Sequence, residues 1–425
     1  MFYCSKIQKR EVSQGDDANH DPAASNVLEE ANEDILLEIF LRLPNCRSAI
    51  LCGAVCRRWH SFISHPHFIQ RFISHHQEHR HRFPQPYTIV IHKAQNTLML
   101  ERHLCSYFQL ISKICYEESM FPHNGKADAA CSSVSSYLDF LPSQVFIRAL
   151  CNDLLLVSSP TSGVYYICNP ITKQYYQLPN PHLSEFFIAG HALLCDNKKR
   201  LNHFKVVLFH VDQYPDHDLG CISIFSSKSG KWETISVSYP PPKQLYCGCV
   251  IDVVTCSGIF YWLEWIHSVD RVISKDMKES PCVVIDFPQD FWWYEALPGG
   301  SVTQRIGAVG GELRLLQVVL MPYIEKAEVV LNFKVWKLNS SWVLVHDKRY
   351  RDERFLRWPN NQTLYAPFPH STNGNVVFMV WGKTVLKCNL MMNDAYEVVH
   401  EIQEPETRTV CFPFVHPIWP TQLPS

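Results

Sequence analysis

A strand-and-turn unit that recurs through the larger, C-terminal part of the chain constrains the fold more than any other feature. Strands end near Asn169, Ser226, Asp286, Leu338 and Asn389, at intervals of about 50–60 residues. A second element, an Asn or Gly turn followed by an apolar strand, recurs at residues 152–156, 258–262, 311–315 and 374–378. This period, with several strands per unit, is typical of propeller blades. Residues 87–425 have room for about six.

The composition favours the same all-β architecture. The chain has 24 Phe, 18 Tyr, 11 Trp and 27 Pro, which are residues typical of strands and turns. The terminal stretch 408–414 is expected to complete the first blade, because closing the ring removes exposed sheet edges. Residues 117–136 are expected to form a long loop. The clearest predicted strands are 88–91, 154–157, 205–209, 259–263, 282–285, 313–316, 329–331 and 376–380.

The N-terminal part has a helical rather than a strand pattern. Asn32 is a good N-cap, and Pro44 ends the helix that follows it. Apolar residues cover about 240° of that helix, far more than the stripe of an ordinary surface helix. Two shorter helices are predicted after it, the first capped by Ser48 and the second ended by Pro66. A segment of about 40 residues cannot bury this much apolar surface by itself. It therefore packs on another domain or on another chain, and periodicity alone leaves both open.

Two spaced motifs occur in this helical part: Leu-Leu-x-Ile-Phe-x-Arg-Leu-Pro from Leu36, and Val-Cys-Arg-x-Trp-x-x-Phe-Ile-x-x-Pro-x-Phe from Val55. Together they resemble an F-box, the three-helix motif that docks on the Skp adaptor of cullin-based ubiquitin ligases. The family usually opens with Leu-Pro, whereas this chain has Ala31-Asn32. The resemblance implies that an adaptor contacts Leu36, Ile39, Phe40, Pro44, Leu51, Val55 and Trp59.

The strand region is similar to the F-box-associated, kelch-like region of plant F-box proteins. Its motifs include Cys168-Asn-Pro-x-Thr-Lys, Phe225-Ser-Ser-x-x-Gly-x-Trp, Gly258-x-x-Tyr-Trp-Leu and Trp419-Pro-Thr. The predicted organisation is a small all-α F-box of three helices followed by an all-β propeller of about six blades. Its boundaries are a disordered N-terminus at 1–30, the F-box at 31–73, a connector at 74–86 and the propeller at 87–425.

Together the two resemblances imply a substrate-recognition subunit of a Skp-cullin-F-box (SCF) ubiquitin ligase, in the cytoplasm or nucleus. Such a subunit holds an unidentified target protein near the conjugating enzyme and does no bond chemistry itself. Trp292 and Tyr294, in an aromatic run, are candidates for target contact, although neighbouring blades also bury such side chains. The alternatives are an adaptor-bound scaffold without a degradation role and a propeller enzyme.

Other functional classes have little support in the sequence. A net charge of −2 gives no electrostatic case for nucleic acid or an anionic membrane as partner, and no apolar run is long enough to span a bilayer. The 17 cysteines are expected to be reduced, buried thiols. Catalytic signatures are absent, and no cofactor is predicted. A metal site is the weaker interpretation of two groups, Cys46, Cys52, Cys56 and His60, and His75, His76, His79 and His81.

Overall fold

The computed structural model divides the chain into two compact units, Met1–Phe83 and Pro84–Ser425. Each unit is described by itself below. The structure describes residues 33–79, 87–96, 108–118, 138, 140–143, 145–159, 162–181, 186–195, 203–212, 219–238, 251–266, 269–276, 283–291, 301–323, 328–351, 367–370, 373–381, 384–392, 396–401, 409–415 and 417–424.

The described part of the first unit contains four helices: α1 (Glu33–Leu41), α2 (Cys46–Gly53), α3 (Arg57–Ile63) and α4 (Pro66–Glu78). The prediction of three helices is therefore wrong. Pro66 was expected only to end the third helix, but it stands in the first turn of α4, with His65 as the N-cap. Proline fits there because the first N–H groups of a helix need no intrahelical partner. As a result, α4 includes residues 74–78, which were assigned to the connector.

Aromatic rings from three helices form the core of the helical unit. The Phe40 ring of α1 meets the Trp59 ring of α3 edge-on at 5.1 Å and the Phe68 ring of α4 at 6.2 Å. Phe68 in turn lies 5.8 Å from Phe72. Edge-to-face pairs of this kind stabilise a core beyond the area that they bury. The side of α1 that carries Leu36 and Phe40 is therefore the inner side, and both residues are only 1% exposed.

The described strands of the second unit pair mostly in antiparallel fashion with their neighbours in the sequence. Its described strands are β1 (Tyr87–Asn96), β2 (Phe108–Glu118), β3 (Phe146–Cys151), β4 (Leu154–Ser158), β5 (Tyr165–Asn169), β6 (Gln174–Gln177), β7 (Phe186–Cys195), β8 (Phe204–Asp212), β9 (Leu219–Ser226), β10 (Lys231–Ser238), β11 (Ile251–Cys256), β12 (Ile259–Ile266), β13 (Val269–Asp276), β14 (Val283–Ile285), β15 (Ser301–Val309), β16 (Glu312–Tyr323), β17 (Glu328–Leu338), β18 (Trp342–Arg351), β19 (Phe368–Pro369), β20 (Val376–Trp381), β21 (Thr384–Asn389), β22 (Tyr396–Glu401) and β23 (Thr409–Val415).

The predicted count of six blades is not matched by the sheets of the described residues. They form one sheet of three strands, β2-β1-β23, three of four strands, β3–β6, β15–β18 and β19–β22, and one of eight, β10-β9-β8-β7-β11-β12-β13-β14. The eight-stranded sheet arises because β7 and β11 pair in parallel, Gly190 with Ile251 and His191 with Asp252. This short ladder joins two groups of four antiparallel strands, β7–β10 and β11–β14, into one sheet.

The repeat itself is present. The predicted positions Asn169, Ser226, Leu338 and Asn389 end β5, β9, β17 and β21, each the third strand of its group. Asp286 differs, because it follows β14, the fourth strand of its group. The predicted role of the C-terminal stretch is confirmed: β23 pairs antiparallel with β1 from Tyr87–Val415 to Lys93–Thr409. Pairing between strands from the two ends of the unit closes the arrangement without leaving β1 as a free edge.

Neighbouring groups are joined by buried apolar clusters and by a repeated tryptophan hydrogen bond. The Trp232 indole of β10 donates to the Pro179 carbonyl after β6 at 2.7 Å, and the Trp342 indole of β18 donates to the Asp286 carbonyl after β14 at 2.8 Å. Trp336, 1% exposed, lies in a cluster with Leu315 and Phe291. Trp232 and Trp342 are half-buried, and each indole bond connects the group that contains the Trp to the previous group.

A buried carboxylate fastens the C-terminal segment. Asp153, in the turn between β3 and β4, accepts hydrogen bonds from the Thr421 backbone N–H, the Thr421 hydroxyl and the Asn169 side-chain amide, each at 2.7 Å. The Asn169 amide also donates to the Thr421 carbonyl at 2.8 Å. Asp153 and Asn169 are both 0% exposed. These bonds hold a segment that follows β23 against the second sheet of the unit.

Candidate partner-binding surfaces

The helical unit carries an exposed apolar surface. Five large apolar side chains of α1, α2 and the α2–α3 turn are 44–67% exposed: Ile35, Ile39, Ile50, Leu51 and Val55. They occur within a unit that buries its aromatic residues well, so the exposure does not reflect poor packing. Exposed apolar residues of this kind are common at interaction sites, so these side chains are candidates for contact with a partner.

The structure separates the seven residues that the F-box resemblance implied into surface and core members. Exposed members are Ile39, Pro44, Leu51 and Val55. Trp59 is half-buried against Phe40. Leu36 and Phe40 lie in the core of the unit, so they support the exposed residues of α1 by packing and are not themselves on the surface. Contact between these residues and an adaptor stays a prediction.

Capping side chains fix the turns between the helices that carry this surface. The Asn45 side chain accepts from the Ser48 backbone N–H at 2.9 Å, so Asn45 and not Ser48 is the N-cap of α2. The prediction of Ser48 as the cap is therefore wrong, and the physical reason is that Asn is as good a cap as Ser and stands one position before the helix. At the next turn the Cys56 sulfur accepts from the Trp59 N–H at 3.5 Å. Both caps fix the chain directions on either side of Leu51 and Val55.

His76 is a positioning residue that sequence reasoning missed. Its Nε2 atom lies 2.9 Å from the Leu43 carbonyl oxygen and its Nδ1 atom 3.0 Å from the Phe72 carbonyl oxygen. The ring also stacks on Phe72 at 4.0 Å and is 4% exposed. His76 therefore ties α4 to the end of α1, beside Pro44. The sequence assigned it to a His-rich connector, and only its spacing of four from Phe72 pointed to a helix face.

The two metal-site interpretations find no support among the residues that the structure describes, where no group of three or more His, Cys, Asp or Glu is placed to hold an ion. Cys46 is buried, and Cys52 and Cys56 are half-buried in separate helical turns. The rings of His75 and His79 lie 4.5 Å apart, and His79 bonds to the His75 carbonyl. Burial, together with His79 and His76, lowers the pKa of His75. His81 is outside the described residues.

The candidates for target contact on the propeller unit, Trp292 and Tyr294, also lie outside the described residues. Their role stays a prediction. The preceding residue, Phe291, is buried, and its ring stacks on Phe287 at 4.3 Å. The start of the aromatic run is therefore part of the core between β11–β14 and β15–β18.

Comparison with known proteins identifies both units. A family model described as F-box protein At3g26010-like, beta-propeller, matches residues 89–415, and an F-box-like model matches residues 33–74. The F-box protein At5g49610 of Arabidopsis thaliana is 26% identical over 379 residues, which cover 83% of this chain and 87% of that protein. The F-box protein At3g28330 of the same plant is 25% identical over 324 residues, covering 74% and 73%.

Among solved structures, the chain is similar to one in a nidogen/laminin complex. The TM-score is 0.33 and the sequence identity 11%, over 72% of this chain and 90% of that one. A TM-score this low supports no functional conclusion. None of the helices among the described residues has the length and apolar character needed to cross a membrane.

Proposed function

The chain belongs to the family of F-box proteins with an At3g26010-like β-propeller, and on that premise we propose that it is the substrate-recognition subunit of an SCF ubiquitin ligase. In this proposal the helical unit binds a Skp-family adaptor and, through it, a cullin. The propeller unit binds a target protein. Tethering raises the effective concentration of target lysines near the conjugating enzyme, so the chain itself needs no catalytic residue.

The observation that supports the adaptor role is the set of exposed aliphatic side chains on α1, α2 and the α2–α3 turn. Ile39, Leu51 and Val55 are 44%, 62% and 67% exposed in the free chain. Large apolar anchors of this kind contribute about 2–4 kcal/mol each when an interface buries them. The exposed ion pair between Glu38 of α1 and Arg42, the residue after its end, is 3.2 Å long and adds a polar rim near Ile39.

We also propose that the second unit is a kelch-like ring of six blades. The supporting observation is that the described strands after β2 come in groups of four, β3–β6, β7–β10, β11–β14, β15–β18 and β19–β22, while β23, β1 and β2 supply a sixth group. The first strands of these groups lie beside one another in the order β3, β7, β11, β15, β19, β23. A ring of that kind is a rigid scaffold that presents loops to a target. The proposed location is the cytoplasm or the nucleus.

Co-purification with a Skp-family adaptor and a cullin tests the adaptor role. The double variant Ile39→Asp/Pro44→Ala should lose the adaptor, because a carboxylate placed in an apolar interface is costly to desolvate. Arg71→Ala, on the exposed side of α4, is the matched control and should retain it. Adaptor binding by the double variant at wild-type level would overturn the proposal.

A scaffold role without degradation is separated from a ligase role by the same complex. Targets captured by the chain are identified with the proteasome blocked, and their abundance is compared in cells with and without the chain. Ubiquitinated targets that accumulate only when the chain is present support the ligase role. Captured partners whose ubiquitination does not change with the chain would support the scaffold.

A further inference from the structure

An arginine without a carboxylate partner lies inside the propeller unit. Arg148 is the extra residue of a β-bulge in β3, between Ile147 and Ala149. Bulges re-aim a side chain and are common next to functional sites. The guanidinium Nε donates to the Ser158 hydroxyl at 2.7 Å, and the guanidinium carbon lies 5.0 Å from the centre of the Phe146 ring. None of the ion pairs among the described residues includes Arg148.

This arrangement uses one of the five N–H donors of the guanidinium group. The Ser158 hydroxyl binds the Nε atom, the Phe146 ring lies next to the guanidinium carbon, and the two terminal nitrogens make no hydrogen bond to any described residue. Neither terminal nitrogen is sealed from solvent, since no Arg148 atom is among the buried atoms without a partner in the described part of the chain. Burial lowers the pKa of Arg148, because partial loss of surrounding water disfavours the charged form.

Tyr165 is the cross-strand partner of Ser158, the residue that binds Arg148, in the ladder between β4 and β5, and it supplies another donor. The Tyr165 hydroxyl of β5 and Nε2 of His191 in β7 are 2.9 Å apart. Burial raises the pKa of Tyr165 to about 12, and burial together with Arg148 and His210 lowers the pKa of His191 well below its usual value. A neutral phenol and a neutral imidazole have two polar protons between them. One is used in their mutual bond, and either tautomer leaves the other for a further acceptor.

We propose that Arg148, with the Tyr165–His191 pair, forms a binding site for a small oxyanion, a carboxylate or a phosphate, between the groups β3–β6 and β7–β10. A planar guanidinium fork binds either oxyanion through two parallel hydrogen bonds, and a charge-assisted bond is roughly twice as strong as a neutral one. The anion supplies the countercharge that the described residues around Arg148 do not. This inference does not depend on the adaptor role of the helical unit.

Titration of the full-length chain with inorganic phosphate and with succinate, at matched ionic strength, tests the site. The expected result is saturable binding of at least one anion. Tighter binding of phosphate would indicate a phosphate site, and tighter binding of succinate would indicate a carboxylate site. Arg148→Gln should weaken that binding at least about tenfold. The affinity of Arg148→Lys should lie between those of the wild type and Arg148→Gln, because lysine keeps the charge and lacks the planar guanidinium fork. Arg349→Gln, which removes an exposed arginine of β18, should bind as the wild type does.

Two results would overturn the proposal. One is the absence of saturable binding of either anion to the wild-type chain. The other is a folded Arg148→Gln chain, as judged by circular dichroism, that binds with wild-type affinity. If Arg148→Gln does not fold, Tyr165→Phe takes its place, because it keeps the ring and removes the hydroxyl next to His191. Unchanged affinity in that variant together with unchanged affinity in Arg148→Lys would count equally against the site.

Discussion

Replacing Asp153 with alanine removes the acceptor of three hydrogen bonds that hold the C-terminal segment. The donors are the Thr421 N–H, the Thr421 hydroxyl and the Asn169 amide, each 2.7 Å from a carboxylate oxygen. A hydrogen bond to a charged group contributes about 1.5–3 kcal/mol, and the three share one acceptor, so their losses do not simply add. We expect Asp153→Ala to lower the free energy of unfolding of the propeller unit by about 3–5 kcal/mol.

Urea unfolding of the full-length chain, followed by tryptophan fluorescence, measures this loss. With a slope of about 3 kcal/mol per M urea, the midpoint should fall by about 1 M or more. Thr421→Val removes only the hydroxyl bond and should cost less. Asp347→Ala, at an exposed position of β18, is the matched control and should stay within about 0.5 kcal/mol.

Hydrogen exchange of the peptide that contains Thr421 reports the local effect. In the wild-type chain its backbone N–H is bonded to Asp153, so it should exchange slowly. Faster exchange is expected in Asp153→Ala and not in Asp347→Ala. Equal midpoints and equal exchange in the two variants would refute the assignment of Asp153 as the fastening of the C-terminal segment.

Three further predictions concern the core, pH dependence and thiol reactivity. Phe40→Ala should destabilise the helical unit by about 3–5 kcal/mol, measured by helical circular dichroism, whereas Ile39→Asp should cost little, because only Phe40 is buried. Equal losses would contradict the division into core and surface. Burial lowers the pKa of His210 to about 4, and an unfolded His titrates near 6.5. The unfolded chain therefore binds the proton first, so stability should fall by up to about 3 kcal/mol between pH 6.5 and 4. A fall in the urea midpoint that is as steep in His210→Gln would show that another group controls it. Burial raises the pKa of Cys388 to about 12, so mass spectrometry after iodoacetamide treatment at pH 8 should find Cys52 labelled well before Cys388. Early labelling of Cys388 would contradict its burial.

The sequence predicted the elements of the fold better than their arrangement. Local patterns were sufficient for the apolar strands, because each has its own run of apolar residues and its own turn signals. Pro66 was ambiguous for a local reason, since the same residue can end one helix and begin the next. The sheet count depended on the parallel pairing of Gly190 with Ile251, about 60 residues apart, and no local pattern encodes that contact.

The same limit explains which parts of the candidate sites were predictable. The width of the apolar arc on α1 indicated that the helical segment cannot bury all of its apolar surface by itself, but only the position of the other helices decides that Phe40 faces inward and Ile39 outward. The Arg148 cluster left a fainter signal, a single cation inside the otherwise apolar strand β3. Ser158, which binds Arg148, comes from β4, and the Tyr165–His191 pair comes from β5 and β7, so only the fold brings these residues together. Surface patches built on one helix can thus be anticipated from spacing, whereas a polar site assembled from several strands becomes visible only once the sheets are placed side by side.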